Sequence, residues 1–226
     1  IAGVTVTLHR PDGSTIDTTT DADGKYQFTG LVPGSYSVDF AKPAEYNSFS
    51  PRDQGSDNAV NSDADTASGQ TILTTLQSGD NDLSLDAGVY KYTCLNGIAW
   101  VDTNGNGIKD SGESGLEGVS VTLYRKDDFG GADLQKGVTN TDSNGAYSFS
   151  DLQPGNYYVV FAKPTGTNYL FIFESTGSDT KVTNSNGQTS TVALTSDQPS
   201  CDSTLKAGLY LPASLGDRVW HDKNAN

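Results

Sequence analysis

The chain has 226 residues, 34% of them hydrophobic, and carries 28 acidic against 14 basic side chains for a formal net charge of -14. That balance argues against nucleic acid or an anionic membrane as partner, since both are held through basic patches, and it favours a solvated surface and divalent cations. No apolar run approaches the ~18 residues of a membrane helix, so no membrane insertion is expected, and the low hydrophobic fraction suits small β-domains better than one thick core.

The first predicted element is a strand, where Val4, Val6 and Leu8 alternate with Thr5 and Thr7. Successive side chains of a strand point to opposite faces, so this alternation marks a half-buried antiparallel strand. "DADG" at 21–24 punctuates the chain with a tight turn, and Tyr36, Val38 and Phe40 form the next alternating run. A polar stretch, "GSDNAVNSDAD" at 55–65, follows, and the only helical candidates are too-short ones near 72–77. Leu83, Leu85, Ala87 and Val89 close the series with a further predicted strand.

The series then repeats. "AGVTVTL" at 2–8 returns as "EGVSVTL" at 117–123, and "TDADGKYQFTGLVPGSYSVDFAKP" at 20–43 as "TDSNGAYSFSDLQPGNYYVVFAKP" at 141–164. "LDAGVY" at 85–90 returns as "LKAGLY" at 205–210, and "NGIAWVDTNGN" at 96–106 is echoed by "GDRVWHDKNAN" at 216–226. A spacing of about 115–120 residues suits whole domains in tandem rather than solenoid turns. The expected units are 1–92, which lacks the segment equivalent to 96–115, a complete 93–212, and the opening of a third copy at 213–226. The chain starts at Ile1 and contains no Met, so a piece of a longer protein is expected. Short strands, dense Gly and Pro turns and no long helical stripe make the expected fold all-β, as tandem Ig-like β-sandwiches.

"DTNGNGIKDSGE" at 102–113 completes the calcium-loop pattern D-x-[DN]-x-[DN]-G-x5-E. Ca²⁺ takes six to eight hard oxygens, and the spacing offers Asp102, Asn104, Asn106, the backbone carbonyl of Ile108, Asp110 and Glu113, with Gly107 at the sharp turn. Both flanks read as strands, whereas an EF-hand has helices there. Two Asn in place of Asp lower the local charge, which points to the extracellular affinity range of about 10⁻⁴–10⁻³ M. Asp222, Asn224 and Asn226 repeat the start of the loop in the third copy.

Weaker calcium candidates are Asp21 with Asp23 and Asp142 with Asn144, which read equally as turn formers. Asp57, Asp63 and Asp65 form another, since clustered carboxylates repel one another unless a cation neutralises them. The matching "GSDTKVTNSNGQ" of the second copy keeps Asp179 and Asn186 but loses the acidity, so metal binding by this loop in the first copy would not carry over to the second. Zinc fits poorly, because His9 and His221 lie at no ligand spacing from a cysteine. No Ser-His-Asp or Cys-His system is spaced for nucleophilic catalysis, and the carboxylates sit in Gly-rich loops rather than against apolar walls. No enzyme activity is expected. "LPASL" at 211–215 reads as a linker.

The phrase D-x-[DN]-G-x-Y-x-F-x-x-L-x-P-G-x-Y-x-V, at 21–38 and 142–159, resembles the Cna B-type and transthyretin-like family of surface domains. With "IAWVDTNGNGIKDSGESGLEGVSVTLY" at 98–124 it is similar to the SdrD B-like subgroup, the calcium-binding B repeats of serine-aspartate-repeat adhesins. The resemblance implies a prealbumin-like sandwich, Ca²⁺ as the cofactor, an extracellular or cell-surface location and a stalk or spacer role without enzyme activity. Its implied partners are neighbouring repeats in the chain or other copies in a polymer. Cna B-type domains often carry a Lys–Asn isopeptide between first and last strands; "NGIAWV" has no Lys and "TLKAGLY" no Asn, so none is expected. If those strands pair in parallel, as the resemblance implies, Cys94 and Cys201 fall at one end of a sheet, where a disulfide or two free thiols are the alternatives. The expected function is a calcium-stabilised repeat region of a stalk, fibre or filament. The alternatives are an adhesin module, with Tyr169, Phe171 and Phe173 as its contact patch, and an accessory domain of a secreted hydrolase.

Overall fold

The computed structural model describes residues 1–54, 61–128 and 130–217, and among them every regular element is a strand. β1 (Thr5–His9), β2 (Thr15–Thr19), β3 (Gly34–Phe40), β4 (Ser48–Phe49), β5 (Thr74–Leu76) and β6 (Val89–Tyr90) make up the first unit. They form a sheet in the order β2-β1-β3-β5 and a separate pair, β4-β6. Register follows the pattern of the sequence: Val6 lies opposite Phe40 and Leu8 opposite Val38, so the apolar set of both strands shares the buried face. Residues 72–77 contain β5 and no helix. Three residues are too few to repay helix nucleation, whereas the edge of β3 gives them backbone partners, Gly34 opposite Leu76 and Tyr36 opposite Thr74. Of the strand expected over 83–89, only its end at Val89 is strand.

The second unit contains β7 (Thr93–Val101), β8 (Ser120–Arg125), β9 (Leu134–Asn140), β10 (Ala146–Leu152), β11 (Gly155–Ala162), β12 (Leu170–Phe171), β13 (Val192–Leu194) and β14 (Ala207–Tyr210). Two sheets, β13-β11-β8-β9 and β10-β7-β14-β12, face each other as a β-sandwich. Between them lie Leu95, Val121, Leu123, Tyr157, Phe161 and Leu209 with their neighbours. The first and last strands, β7 and β14, pair in parallel with Ala99 opposite Ala207. Cys94 and Cys201 are joined by a disulfide at the start of this pair, 107 residues apart in sequence.

Close approach at the centre of the second sheet requires one glycine. A Cβ on Gly97 would lie 2.3 Å from the Leu205 carbonyl oxygen and 2.7 Å from the Tyr147 ring, whose hydroxyl donates to that same oxygen at 2.6 Å. Overpacking of this kind costs about 1–3 kcal/mol. Gly97→Ala is therefore expected to lower the melting temperature of the second unit by roughly 10 °C in calorimetry, with the first unit unchanged.

Candidate metal centre

The loop 102–113 leaves the end of β7 and is pinned by backbone bonds where an EF-hand would have helices. Asp102 N–H donates to Leu209 O at 2.7 Å on β14, Val101 N–H to Ser114 O at 2.9 Å, and Leu116 N–H back to Ala99 O at 2.8 Å. A third tie comes from the segment after β12: Asp179 and Thr180 donate their N–H groups to Gly107 O at 2.8 and 3.1 Å, and Asp179 Oδ2 accepts from Lys109 N at 2.9 Å. Gly107 sits at φ 77, and a Cβ there would come within 3.1 Å of Ser178. The sheet thus supplies the rigidity that flanking helices would otherwise give.

Within the loop, the expected ligand positions already engage one another. Asp102 is fully buried; its two carboxylate oxygens accept from Gly105 N and Gly107 N, each at 2.6 Å. Asn104 and Asn106 turn their amide groups to Asp110 Oδ2, both at 2.8 Å. Their Oδ1 atoms accept from Asn106 N and Ile108 N. Glu113 reaches back across the loop, taking Thr103 N at 2.7 Å on one oxygen and Asp110 N at 3.0 Å on the other. The Asn104 and Asn106 amides hold the Asp110 carboxyl below its ordinary pKa. Burial works against the Glu113 carboxylate, but the N–H donors of Thr103 and Asp110 outweigh it, and its pKa is also lowered. The donor set is all oxygen, which suits Ca²⁺ and not Zn²⁺. Among the described residues no three His, Cys, Asp or Glu side chains converge as a metal cluster; in this loop two of the ring positions are Asn and Asp102 faces its own backbone.

Asp21 and Asp142 are matched turn formers. Asp21 Oδ1 accepts from Asp23 N and Lys25 N, and Asp142 Oδ1 from Asn144 N and Ala146 N, while Asp23 and Asn144 are exposed. Asp65 is likewise drawn into a turn, accepting from Ala67 N and Ser68 N. Asp57, Asp222, Asn224 and Asn226 lie outside the described residues.

Asp63 behaves differently. It is buried and accepts from Asp86 N at 3.0 Å, and burial pushes its carboxyl above the ordinary range, reinforced by Asp53 and Asp82. Asp86 is pushed up to about 6 by burial and by Asp63. Nearby in the chain, the buried Asn61 Oδ1 and Ser62 Oγ have no hydrogen-bond partner. Sequence reasoning missed Asp86, and the signal was the difference between "LDAG" at 85–88 and "LKAG" at 205–208. Asp63 N–H donates to Asp86 O as Lys181 N–H donates to Lys206 O, so the second unit puts two lysines where the first has two carboxylates. Those lysines are matched by Glu174 at 3.1 Å and Asp179 at 4.0 Å.

The aromatic patch considered for adhesion is divided. Phe171 is buried in the core and Tyr169 packs against it, while Phe173 is 51% exposed.

The sequence profile of the SdrD B-like domain matches twice, over residues 1–89 and 94–209. Serine-aspartate repeat-containing protein D of Staphylococcus aureus (strain MW2) is 41% identical over 228 aligned positions, covering 99% of this chain and 16% of that protein. The bone sialoprotein-binding protein of Staphylococcus aureus (strain MRSA252) is 39% identical over 229 positions, with 99% and 18% covered. The chain thus spans less than a fifth of the length of these relatives. Among solved structures, the minor pilin of Streptococcus agalactiae aligns over 97% of this chain and 87% of its own at 15% identity and a TM-score of 0.36. With two tandem matches across nearly all of its length, the chain belongs to the SdrD B-like domain family, the structural repeat domains of cell-surface proteins.

Proposed function

We propose that this chain is a calcium-stabilised, non-catalytic repeat region of an extracellular stalk, fibre or filament. The observation that carries the reading is the loop 102–113, an all-oxygen donor set pinned at both ends to the sheet. Asp102, Asn104, Asn106, the Ile108 carbonyl, Asp110 and Glu113 would hold the ion. Bound there, Ca²⁺ supplies charge neutralisation and a cross-tie between the ends of the loop. The Asn104 and Asn106 amides would exchange their bonds to Asp110 for contacts through oxygen. In the first unit Asp63 and Asp86 are the second choice for a cation, because the second unit has Lys181 and Lys206 at the same backbone positions.

The loop lies beside Leu209, one residue before the end of β14 and the linker that follows it. The disulfide lies at the opposite end of β7, beside the two-residue link between β6 and β7. Calcium at 102–113 therefore braces the exit of the second unit toward its next neighbour. The entrance is held by covalent and hydrogen bonds, including Lys91 N–H to Ser196 Oγ and Gln153 Nε2 to Tyr90 OH, each at 2.8 Å.

Calorimetry of the whole chain with calcium and with EGTA tests this reading. A cation that binds only the folded state adds about 2.7 kcal/mol at a hundredfold excess over Kd, so the melt of the second unit is expected to rise by roughly 10 °C. Identical melts in both buffers would remove calcium from the proposal and leave the repeat as a metal-free spacer.

A further inference from the structure

The sequence contains five Asn–Gly steps, at 96–97, 104–105, 106–107, 144–145 and 186–187. Such a step is where an asparagine amide is most easily lost, because glycine has no Cβ to keep its nitrogen away from the preceding carboxamide. The fold shields four of the five. Gly107, Gly145 and Gly187 are buried, and Gly97 is half-buried within β7. A Cβ on Gly97, Gly145 or Gly187 would lie 2.3, 2.1 or 2.0 Å from a main-chain carbonyl oxygen, and one on Gly107 3.1 Å from Ser178. The backbone at these four positions therefore has no room to swing. Around Gly105 a Cβ would meet nothing within 4 Å, and Asn104 and Gly105 are both exposed. The nitrogen is also held differently. Gly145 and Gly187 donate to the main-chain carbonyls of Asp142 and Asn184, whereas Gly105 N–H donates to a side chain, Asp102 Oδ1, at 2.6 Å.

We propose that Asn104 is a site of spontaneous deamidation in the folded protein, with Asp110 as the latch that slows it. In the reaction the Gly105 nitrogen attacks Asn104 Cγ. The N–Cγ bond forms, the Cγ–Nδ2 bond breaks, and the amide proton leaves with the side-chain nitrogen as ammonia. Water then opens the cyclic imide at either carbonyl, giving aspartate or isoaspartate. One water enters, one ammonia leaves, and no oxidant or reductant takes part. Two bonds hold the carboxamide in place: Nδ2 donates to Asp110 Oδ2 at 2.8 Å, and Oδ1 accepts from Asn106 N at 3.0 Å. Both lie on the exposed side of the loop, so releasing them opens no core. In isoaspartate the main chain runs through Cγ and gains a carbon between Asp102 and Gly105. The Asp102 carboxylate then loses its fit to the Gly105 and Gly107 amides, and the turn they form loosens. The chemistry needs no ion, so it stands apart from the calcium reading.

Peptide mapping by mass spectrometry tests the proposal on the whole chain, kept in warm, mildly alkaline buffer with EGTA so that calcium plays no part. Product at Asn104 should accumulate at least about tenfold faster than at any of the other four Asn–Gly steps, the factor that about 1.4 kcal/mol of barrier represents. In denaturant, where the fold shields none of them, the five rates should converge. Asp110→Ala frees the Asn104 amide and should raise its rate severalfold in the folded chain. Asn104→Gln, whose longer side chain has to close a larger ring, should stay intact at that position. In calorimetry the aged parent should melt lower in the second unit than the fresh one, and aged Asn104→Gln should not. Equal rates at all five steps in the folded chain, a faster reaction at Asn144 or Asn186, a rate at Asn104 unmoved by Asp110→Ala, or an aged parent that melts like the fresh one would each overturn it.

Discussion

Asp102→Ala is expected to destabilise the second unit by about 3 kcal/mol even in EGTA, because the Asp102 carboxylate caps the Gly105 and Gly107 amides at 2.6 Å and hydrogen bonds to a charged group are worth about 1.5–3 kcal/mol each. The carboxylate is fully buried and the amides belong to a sharp double turn with φ of 74 and 77. Water cannot replace it without opening the loop. The melting temperature should therefore fall below that of the calcium-free parent chain, by roughly 10–15 °C, and calcium should restore little of it. Asp110→Asn separates this structural role from ligation. Asp110 is partly exposed and bonded to two amide groups that an Asn oxygen can still accept, so in EGTA its replacement should leave the melt close to that of the parent, while the calcium increment disappears. An Asp102→Ala melt equal to that of the EGTA-treated parent would refute the capping account. A full calcium shift in Asp110→Asn would remove the loop as the ion's site.

Opening the disulfide is expected to have the largest single effect on the second unit. Cys94 and Cys201 are 107 residues apart in sequence, and cross-linking a loop of that length restricts the unfolded chain by about 4.7 kcal/mol on the chain-entropy model. The double variant Cys94→Ser, Cys201→Ser should melt roughly 20 °C lower in that unit, with the first unit, which contains no cysteine, unaffected. Calorimetry that resolves the two transitions checks this, and reduction of the parent chain should reproduce it. The disulfide and the loop 102–113 lie at opposite ends of β7, roughly 25 Å apart at strand rise, so the contributions of the disulfide and of calcium bound as proposed should add within about 0.5 kcal/mol. Strong non-additivity would mean that the two ends of the sandwich are mechanically coupled. A structural disulfide also fits the oxidising surroundings of a cell-surface protein.

The two devices differ in how far the sequence reveals them. The calcium pattern is local: twelve consecutive residues carry its donors, its turn glycines and its spacing, so it is legible without a fold. The cysteines are not local, and two in a chain are equally consistent with free thiols until β7 and β14 pair in parallel. The Asp57, Asp63 and Asp65 cluster shows the opposite hazard. Asp65 turns into its own loop, and the backbone group that donates to the Asp63 carboxylate belongs to Asp86, 23 residues on, which no local pattern marks.

By itself, then, the sequence determined the all-β class, the two copies of the repeat and the position of the turn-rich loop 102–113, because alternation, turn residues and loop spacing act over a few residues. Tertiary structure alone decided what pins that loop, through Leu209 and Asp179. It also decided that Lys181 and Lys206 replace Asp63 and Asp86 at one point in space. Each of these depends on which strands lie side by side. Pairing across a sheet joins residues more than a hundred positions apart, as β7 and β14 show, and no short stretch of the chain records it.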